Sequence, residues 1–142
     1  MIFLQEPQGF VSQFEIAVSI IEHNGEVLLL LRQPWDTEGN KWSLPGGGVH
    51  NGETPLDAVV RETKEETSID LVRNDLQNIK KTFVQRPERQ FIMHVFYAKF
   101  LSRPEVITNH EEHAGFQWIN PREAGRIDFI FDGLETINLF IK

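Results

Sequence analysis

Residues 14–33 read FEIAVSIIEHNGEVLLLLRQ, two apolar segments joined by Asn24-Gly25. An Asn-Gly pair between β-branched and aliphatic segments is the strongest local signal for a tight hairpin, and it predicts paired strands over 14–21 and 26–32. Residues 28–31 are all leucine, so neither side of that strand is suited to solvent. A strand of this kind is typical of a sheet covered on both faces, and it predicts an α/β layered domain.

A helix is predicted from Pro55 to about Thr67. Thr54 is a favoured N-cap residue, and Pro55 is favoured at the first helical position. Asp57 is an acidic residue in the first turn, where its negative charge is favourable. One stripe is predicted to pack on the sheet and contains Leu56, Val59, Val60, Thr63 and Thr67. A second stripe, rotated away from the first, contains Ala58, Glu62, Glu65 and Glu66, with Glu66 nearest the core.

Further elements follow from local patterns. Strands are predicted at 42–44, 79–84, 91–101 and 116–119, and the alternation from Phe91 to Tyr97 supports the third of these. The tail from Asp132 is predicted to dock as a final helix through Leu134, Ile137, Leu139, Phe140 and Ile141. No linker divides the chain, so residues 1–142 are expected to form a single domain.

Composition narrows the function classes. With 21 acidic and 14 basic residues the net charge is −7, so nucleic acid polymers are unexpected partners. The longest aliphatic run, Val27 to Leu31, is far below the ~20 residues of a membrane span, and no membrane association is expected. The chain has no cysteine and its start lacks the basic residues of a secretory signal, so a cytoplasmic location is expected.

Glu62, Glu65 and Glu66 occupy positions i, i+3 and i+4 of the predicted helix. Like charges at this spacing destabilise a helix by a few tenths of a kcal/mol per pair, roughly the size of a favourable pair with the sign reversed. A cation would offset that repulsion. Hard oxygen ligands in a cluster suit Mg²⁺, which proteins hold through one or two carboxylates together with substrate phosphates.

These glutamates belong to a longer pattern, G-x5-E-x7-R-E-x-x-E-E, which here is formed by Gly47, Glu53, Arg61, Glu62, Glu65 and Glu66. The pattern resembles the box of the Nudix hydrolase family and is MutT-like, and Ile69 fills its last aliphatic slot. Outside the box, Leu44 to Gly47 and the E-H-x-x-aromatic-x-W pattern from Glu112 to Trp118 are also similar to the family. Thr63 replaces an aliphatic residue of the box.

Ser68 replaces the glycine of the family box. If this position requires a positive φ, the Cβ of serine costs roughly 1 kcal/mol. The expected consequence is an altered helix ending rather than lost chemistry.

The resemblance implies a Nudix-type α/β/α sandwich with a mixed β-sheet and a Mg²⁺-dependent enzyme, with Mn²⁺ as a substitute ion. It implies that Glu65 and Glu66 are the principal metal ligands and that Glu62 is a further or water-mediated ligand. The Gly47 region would supply a backbone carbonyl. Glu53 would pair with Arg61, which would orient the neighbouring carboxylates.

The general base is expected to be Glu112, with Glu111 or a box glutamate as alternatives. Arg32 is the first candidate for phosphate binding, followed by Lys41, Arg86 and Arg89. Base stacking is assigned to Trp35, Phe83 or Phe131, and a base-edge hydrogen bond to Asp132. His110 and His113 form a poor zinc motif and are interpreted as loop residues.

The expected reaction is hydrolysis of a phosphoanhydride in a nucleoside diphosphate linked to X, with a (d)NTP converted to NMP and pyrophosphate as the leading case. ADP-ribose or a nucleotide sugar is the alternative substrate class. A non-catalytic nucleotide-binding sensor on the same fold is the alternative of another class, disfavoured because all three box glutamates are present. The chain is expected to act as a monomer or homodimer on a small-molecule nucleotide.

Overall fold

Eight strands form one mixed sheet in the computed structural model, which describes residues 1–140. The strands are β1 Ile2–Phe3, β2 Glu15–His23, β3 Glu26–Arg32, β4 Trp42–Ser43, β5 Gly46–Gly48, β6 Gln77–Gln85, β7 Gln90–Lys99 and β8 His113–Ile119. The two α-helices are α1 Pro55–Thr67 and α2 Gly133–Phe140, and short 3₁₀ turns span Arg73–Asp75 and Pro121–Arg126. The order along the sheet is β1-β6-β7-β2-β3-β4, with β5 paired to β2 and β8 paired to β3.

The predicted hairpin between β2 and β3 is confirmed. Asn24 and Gly25 both have positive φ, 49° and 79°, the backbone that a two-residue turn of this twist requires. On its other side β2 runs parallel to β7, from the pair Glu15 and Ile92 to the pair Glu22 and Lys99. This single parallel pair among antiparallel neighbours makes the sheet mixed, as predicted.

Farther from the hairpin turn, β2 pairs with β5 instead of β3. Gly46 lies opposite Val18 and Gly48 lies opposite Ile16. Gly46 has φ 152°, and a Cβ there would lie 2.7 Å from the Cα of Val18 and closer still to the carbonyl oxygen of Ala17. Only glycine allows so close an approach, and the approach places β5 directly beside α1.

Both faces of the sheet are covered. On one face α2 packs through Ile137 and Phe140 against Val18, Ile20, Val27 and Leu29. The opposite face is covered by α1 and the segment after it through Ala58, Val59, Ile69 and Leu71, which pack with Ala17, Ile21, Leu28 and Phe96. Alternate residues of β2 and β3 thus point into two cores, and the α/β/α sandwich is confirmed.

Helix α1 has the predicted bounds and the predicted N-cap. Thr54 and Asp57 each accept a backbone hydrogen bond from the other at 3.1 Å, which closes a capping box. Thr63 is fully buried, and its hydroxyl lies 3.0 Å from that of Ser19 on β2. The polar atom brought by the Thr63 replacement is therefore matched by a polar partner.

Helix α1 is followed by Ser68 in the left-handed backbone conformation, which is a common way for a helix to end. Ser68 has φ 67° and ψ 9°, and its N–H donates to the carbonyl of Lys64 at 3.0 Å. The expected altered ending is wrong, because serine adopts the conformation that glycine would adopt. Its hydroxyl also donates to the carbonyl of Ile107 at 3.2 Å.

Several elements differ from the sequence-based prediction. The strands β1 and β5 were not predicted, and β8 begins at His113 rather than at residue 116. The final helix is present as Gly133–Phe140, whereas Ile141 lies outside the described residues. Within residues 1–140 the structure contains no helix of the length and apolarity that crossing a bilayer demands.

Candidate active site

The polar edge of α1 faces β5. Glu66 is only 6% exposed, and one of its carboxylate oxygens accepts a hydrogen bond from the Gly46 N–H at 2.8 Å. Glu62 is mostly covered, whereas the Glu65 side chain is about half exposed. The helix therefore presents three carboxylates in a gradient from buried to exposed.

The absence of a side chain at Gly47 leaves room for the Glu62 carboxylate. A Cβ at residue 47 would lie 2.5 Å from the carboxyl carbon of Glu62 and under 3 Å from both of its oxygens. Any side chain there would displace the carboxylate. The Gly47 backbone and the Glu62 carboxylate are therefore held next to each other, as the predicted metal site requires.

Arg61 connects the loop before α1 to the helix. It donates two hydrogen bonds to Glu53 at 2.8 and 3.0 Å, and one to the Gly48 carbonyl at 3.0 Å. Its remaining Nη1 donates to Glu62 at 2.9 Å and Glu65 at 3.3 Å. The hydrogen bonds from Arg61 lower the pKa of Glu53 to about 2, so the bidentate pair forms at every ordinary pH.

Glu112 reaches this edge from the loop before β8. Its carboxylate lies near that of Glu66, within a group of ligand atoms that are all inside 4.8 Å of one another. Burial first, and then the nearby Glu62 and Glu112 carboxylates, raise the pKa of Glu66 well above its usual range. Burial and then Glu62 and Glu65 likewise raise the pKa of Glu112. The site therefore carries more negative charge than Arg61 balances.

His113 completes that group, and its interpretation as a loop residue is wrong, because it is the first residue of β8. It is 4% exposed and pairs with Arg32 of β3. Burial and then the Arg32 charge lower the pKa of His113 to about 4. The available signal was the E-H pair itself, but a strand start placed at residue 116 left the histidine in a loop.

A cleft of about 340 Å³ opens between the carboxylates and the β6–β7 hairpin. At one end it is lined by Arg32, Gly46, Gly47, Glu66 and His113. At the other it is lined by Phe14, Glu38, Arg86, Arg89 and Phe91. The rings of Phe14 and Phe91 stack with centroids 4.9 Å apart, and Arg89 lies 5.4 Å from the Phe14 ring. The cleft thus has an acidic end and an aromatic end.

Arg86 is fixed at the aromatic end. It donates to Glu38 at 3.2 Å, to Asp132 at 3.3 Å and to the Phe131 carbonyl at 2.9 Å. Its guanidinium carbon lies 5.3 Å from the Phe91 ring centroid and 5.2 Å from that of Phe131. Glu38 also accepts the Phe131 N–H at 2.6 Å. We call Arg86, Glu38, Asp132, Phe91 and Phe131 the Arg86 clamp.

The predicted substrate-binding residues are dispersed. Arg32 lines the cleft, but its Nε donates to the Thr37 carbonyl at 2.8 Å. Asp132 belongs to the Arg86 clamp, and its side chain is 10% exposed. Phe83 of β6 packs edge-on against Phe10, which lies in a loop. Trp35 is 72% exposed on a loop and does not line this cleft. The structure therefore gathers the predicted metal and catalytic residues and places Arg32 in the same cleft, whereas Trp35, Phe83 and Asp132 are not in its lining.

Comparison with known proteins gives a consistent picture. The family model of the NUDIX domain matches residues 13–138. A Bacillus subtilis (strain 168) protein named "Putative 8-oxo-dGTP diphosphatase" is 31% identical in an alignment of 134 residues that covers 88% of this chain and 84% of that protein. Nucleoside triphosphatase NudI of Escherichia fergusonii is 29% identical over 140 residues, covering 89% and 96%. The crystal structure of the MutT protein from Methanosarcina mazei Go1 has a TM-score of 0.74 at 27% identity, covering 89% of this chain and 93% of that one.

Proposed function

The chain belongs to the Nudix family of hydrolases, which act on phosphoanhydride bonds, and from this premise we propose that it is a Mg²⁺-dependent nucleoside triphosphate pyrophosphohydrolase. A (d)NTP would be converted to NMP and pyrophosphate. The names of the two similar proteins support this substrate class, since one is a triphosphatase and the other a diphosphatase of a deoxynucleoside triphosphate.

One observation carries the proposal. Glu66 and Glu112 come from elements far apart in the chain, yet their carboxylates meet at the acidic end of the cleft beside Gly46 and Gly47. Glu66 is buried and Glu112 is exposed, and placing a second carboxylate beside a buried one is unfavourable unless a cation lies nearby. These carboxylates would repel a polyphosphate chain, which is itself anionic, and a bound cation would offset that repulsion.

The donor set fits such an ion. Glu62, Glu65, Glu66 and the Gly47 carbonyl would hold it, and all of them offer the hard oxygen ligands that Mg²⁺ requires. Mn²⁺ accepts the same ligands. When bound, the ion would neutralise the phosphates and acidify a water molecule for attack on phosphorus.

Residues of the chain itself would hold the metal ligands in place and accept a proton from the attacking water. Arg61 holds Glu62 and Glu65 and is itself fixed by Glu53, so the ligands are positioned before substrate arrives. Glu112 would act as general base and accept a proton from the attacking water. Its position on the loop before β8 brings its carboxylate close to that of Glu66.

The aromatic end of the cleft would receive the nucleoside. Stacked Phe14 and Phe91 offer an apolar surface beside the positive charge of Arg89, an environment in which a flat base is well accommodated. Arg32, near the acidic end, would contact the phosphates. Trp35 and Phe83 stay predictions as base contacts, whereas the carboxylate of Asp132 is already engaged by Arg86.

The test is product release from a panel of nucleoside triphosphates, 8-oxo-dGTP, ADP-ribose, nucleotide sugars and a 5′-triphosphorylated RNA, with and without Mg²⁺. Pyrophosphate release from a triphosphate only with Mg²⁺ is expected. Turnover of ADP-ribose instead would move the chain to the alternative substrate class. Absence of all turnover, with one compound still raising the melting temperature, would favour the sensor function.

A further inference from the structure

The turn that carries Glu112 fixes its own shape but not its place in the molecule. The Asn109 carbonyl accepts the N–H groups of Glu112 at 3.0 Å and of His113 at 2.9 Å, and the Asn109 side-chain oxygen accepts the Glu111 N–H at 3.1 Å. All three bonds lie within the turn. The exposed side chain of Glu112 makes no hydrogen bond of its own within residues 1–140. The position of its carboxylate therefore depends on what holds the backbone of the turn.

Gln33, the residue after β3, connects this turn to the sheet. Its side-chain Nε2 donates to the His110 carbonyl at 2.6 Å, and its backbone N–H donates to the Glu112 carbonyl at 3.4 Å. In the part of the chain that the structure describes, residues 110–112 exchange hydrogen bonds with residues outside the turn only through Gln33. The backbone bond is long, so the side-chain amide is the stronger of the two anchors.

Burial makes the amide of Gln33 a firm anchor. Gln33 is 8% exposed, and a buried amide depends on its hydrogen-bond partner because water cannot readily replace it. Gln33 directly follows β3, in which Leu28, Leu29 and Leu30 are fully buried. The amide is thus carried by the interior of the sheet on which α1 also packs. Groups supported by such an element are held more precisely than groups supported by a loop.

We infer that Gln33 is a positioning residue for the general base. By holding the His110 carbonyl, its amide keeps the Glu112 carboxylate beside that of Glu66. The inference rests on the proposed function, since it takes Glu112 as the group that accepts the proton from water. A displacement of about 1 Å at a reacting group can lower a rate about 100-fold, so a residue without contact to substrate can still determine the rate.

The segment after Gln33 offers a different role, which the kinetic constants separate. In residues 34–41, Thr37 and Glu38 line the cleft, whereas Gln33 itself does not. A role in shaping that wall would change nucleotide binding and therefore KM. A role through Glu112 changes the chemical step and therefore kcat.

The experiment compares Gln33→Met with the wild type in hydrolysis of the nucleoside triphosphates of the turnover panel with Mg²⁺. Methionine has a similar length and is unbranched, but it cannot donate to the His110 carbonyl. We expect kcat to fall at least ~10-fold and KM to stay within ~2-fold. Gln33→Asn keeps an amide that is one methylene too short for the bond, and the same loss of kcat is expected. Gln117→Met, the same change at a half-buried side chain of β8, is the control and should keep both constants.

A double-mutant cycle shows whether the effect passes through Glu112. In a Glu112→Gln background, which already lacks the base, Gln33→Met should lower kcat by less than a further ~2-fold. An additional loss as large as that in the wild type would give Gln33 a role independent of the base and would overturn the inference. Unchanged kcat in Gln33→Met, or a rise in KM alone, would overturn it as well.

A measurement without substrate separates this inference from the proposed function. Hydrogen exchange at the Glu112 and His113 amides should be at least ~5-fold faster in Gln33→Met than in the wild type, and unchanged in Gln117→Met. Unchanged exchange in Gln33→Met would overturn the inference while leaving the proposed function intact. A wild type that turns over no triphosphate, or Glu112→Gln with wild-type activity, would overturn the proposed reaction or its base and, with it, the role of Gln33 in catalysis, even if exchange is faster.

Discussion

The two ends of the cleft handle charge in opposite ways. At the acidic end, Arg61 is the counterion of Glu53, Glu62 and Glu65. The pKa values of Glu66 and Glu112 are raised there, first by burial and then by the neighbouring carboxylates. In the Arg86 clamp, the guanidinium meets two carboxylates, a carbonyl and two aromatic rings. The excess negative charge at the acidic end indicates a place for a cation. The complete pairing of Arg86 at the aromatic end indicates a rigid, structural part of the cleft.

The largest effect is expected at the acidic end. Glu65→Gln keeps the shape of the side chain and removes its charge, so we expect cation affinity to weaken and kcat to fall at least ~100-fold. Turnover with Mg²⁺ and calorimetric Mg²⁺ binding are the measurements. Glu123→Gln, a change in an exposed pair with Arg126, is the control and should match the wild type. Activity retained in Glu65→Gln would remove Glu65 from the metal site.

The Arg86 clamp should respond in stability instead. Arg86→Met keeps an apolar stem between the rings but leaves Glu38 and Asp132 without their counterion, and we expect a loss of about 2 kcal/mol in the free energy of unfolding. Urea unfolding measures this change. The matched Arg126→Met change, at an 83% exposed side chain, should have little effect. Equal stabilities of the two variants would show that the clamp does not hold the fold.

A substitution at Asp132 tests whether the Arg86 clamp is purely structural or also recognises the base. Because its carboxylate is engaged by Arg86 and lies 3.2 Å from the Met1 nitrogen, we expect Asp132→Asn to cost about 1 kcal/mol of stability. The ranking of nucleotide bases should stay as in the wild type, measured as kcat/KM across the four triphosphates. A changed ranking would assign Asp132 to the base pocket, as predicted from the sequence.

The smallest effect is a pH-dependent one at Glu53. Its folded-state pKa of about 2 lies below the ordinary 4.5, so its contribution to stability is fully present above pH 4.5 and is lost as the pH falls toward 2. The melting temperatures of the wild type and Glu53→Gln should therefore differ at neutral pH and converge near pH 2. A difference that stays constant over this range would mean that the charge of Glu53 does not contribute.

Local signals predicted the elements that carry the site. Asn24-Gly25 determined the hairpin because few other residues adopt two successive positive φ values. Thr54 and Pro55 determined the start of α1 because they satisfy its first backbone groups locally. Strands β1 and β5 were missed because they are two and three residues long, and they exist only through pairing with distant strands.

The candidate site likewise contains some groups that local sequence brings together and others that only the tertiary structure brings together. Arg61, Glu62, Glu65 and Glu66 lie on one helix, and Glu53 lies in the loop just before it. Because these separations are short, the sequence by itself determined that the groups meet and that they resemble a Nudix box. Tertiary structure alone decided that His113 is buried beside Glu66, and that Arg86 and Asp132 engage each other rather than solvent. The physical reason is range: hydrogen bonds within a turn or helix are encoded by neighbouring residues, whereas burial and charge pairing depend on which distant strands the fold brings together.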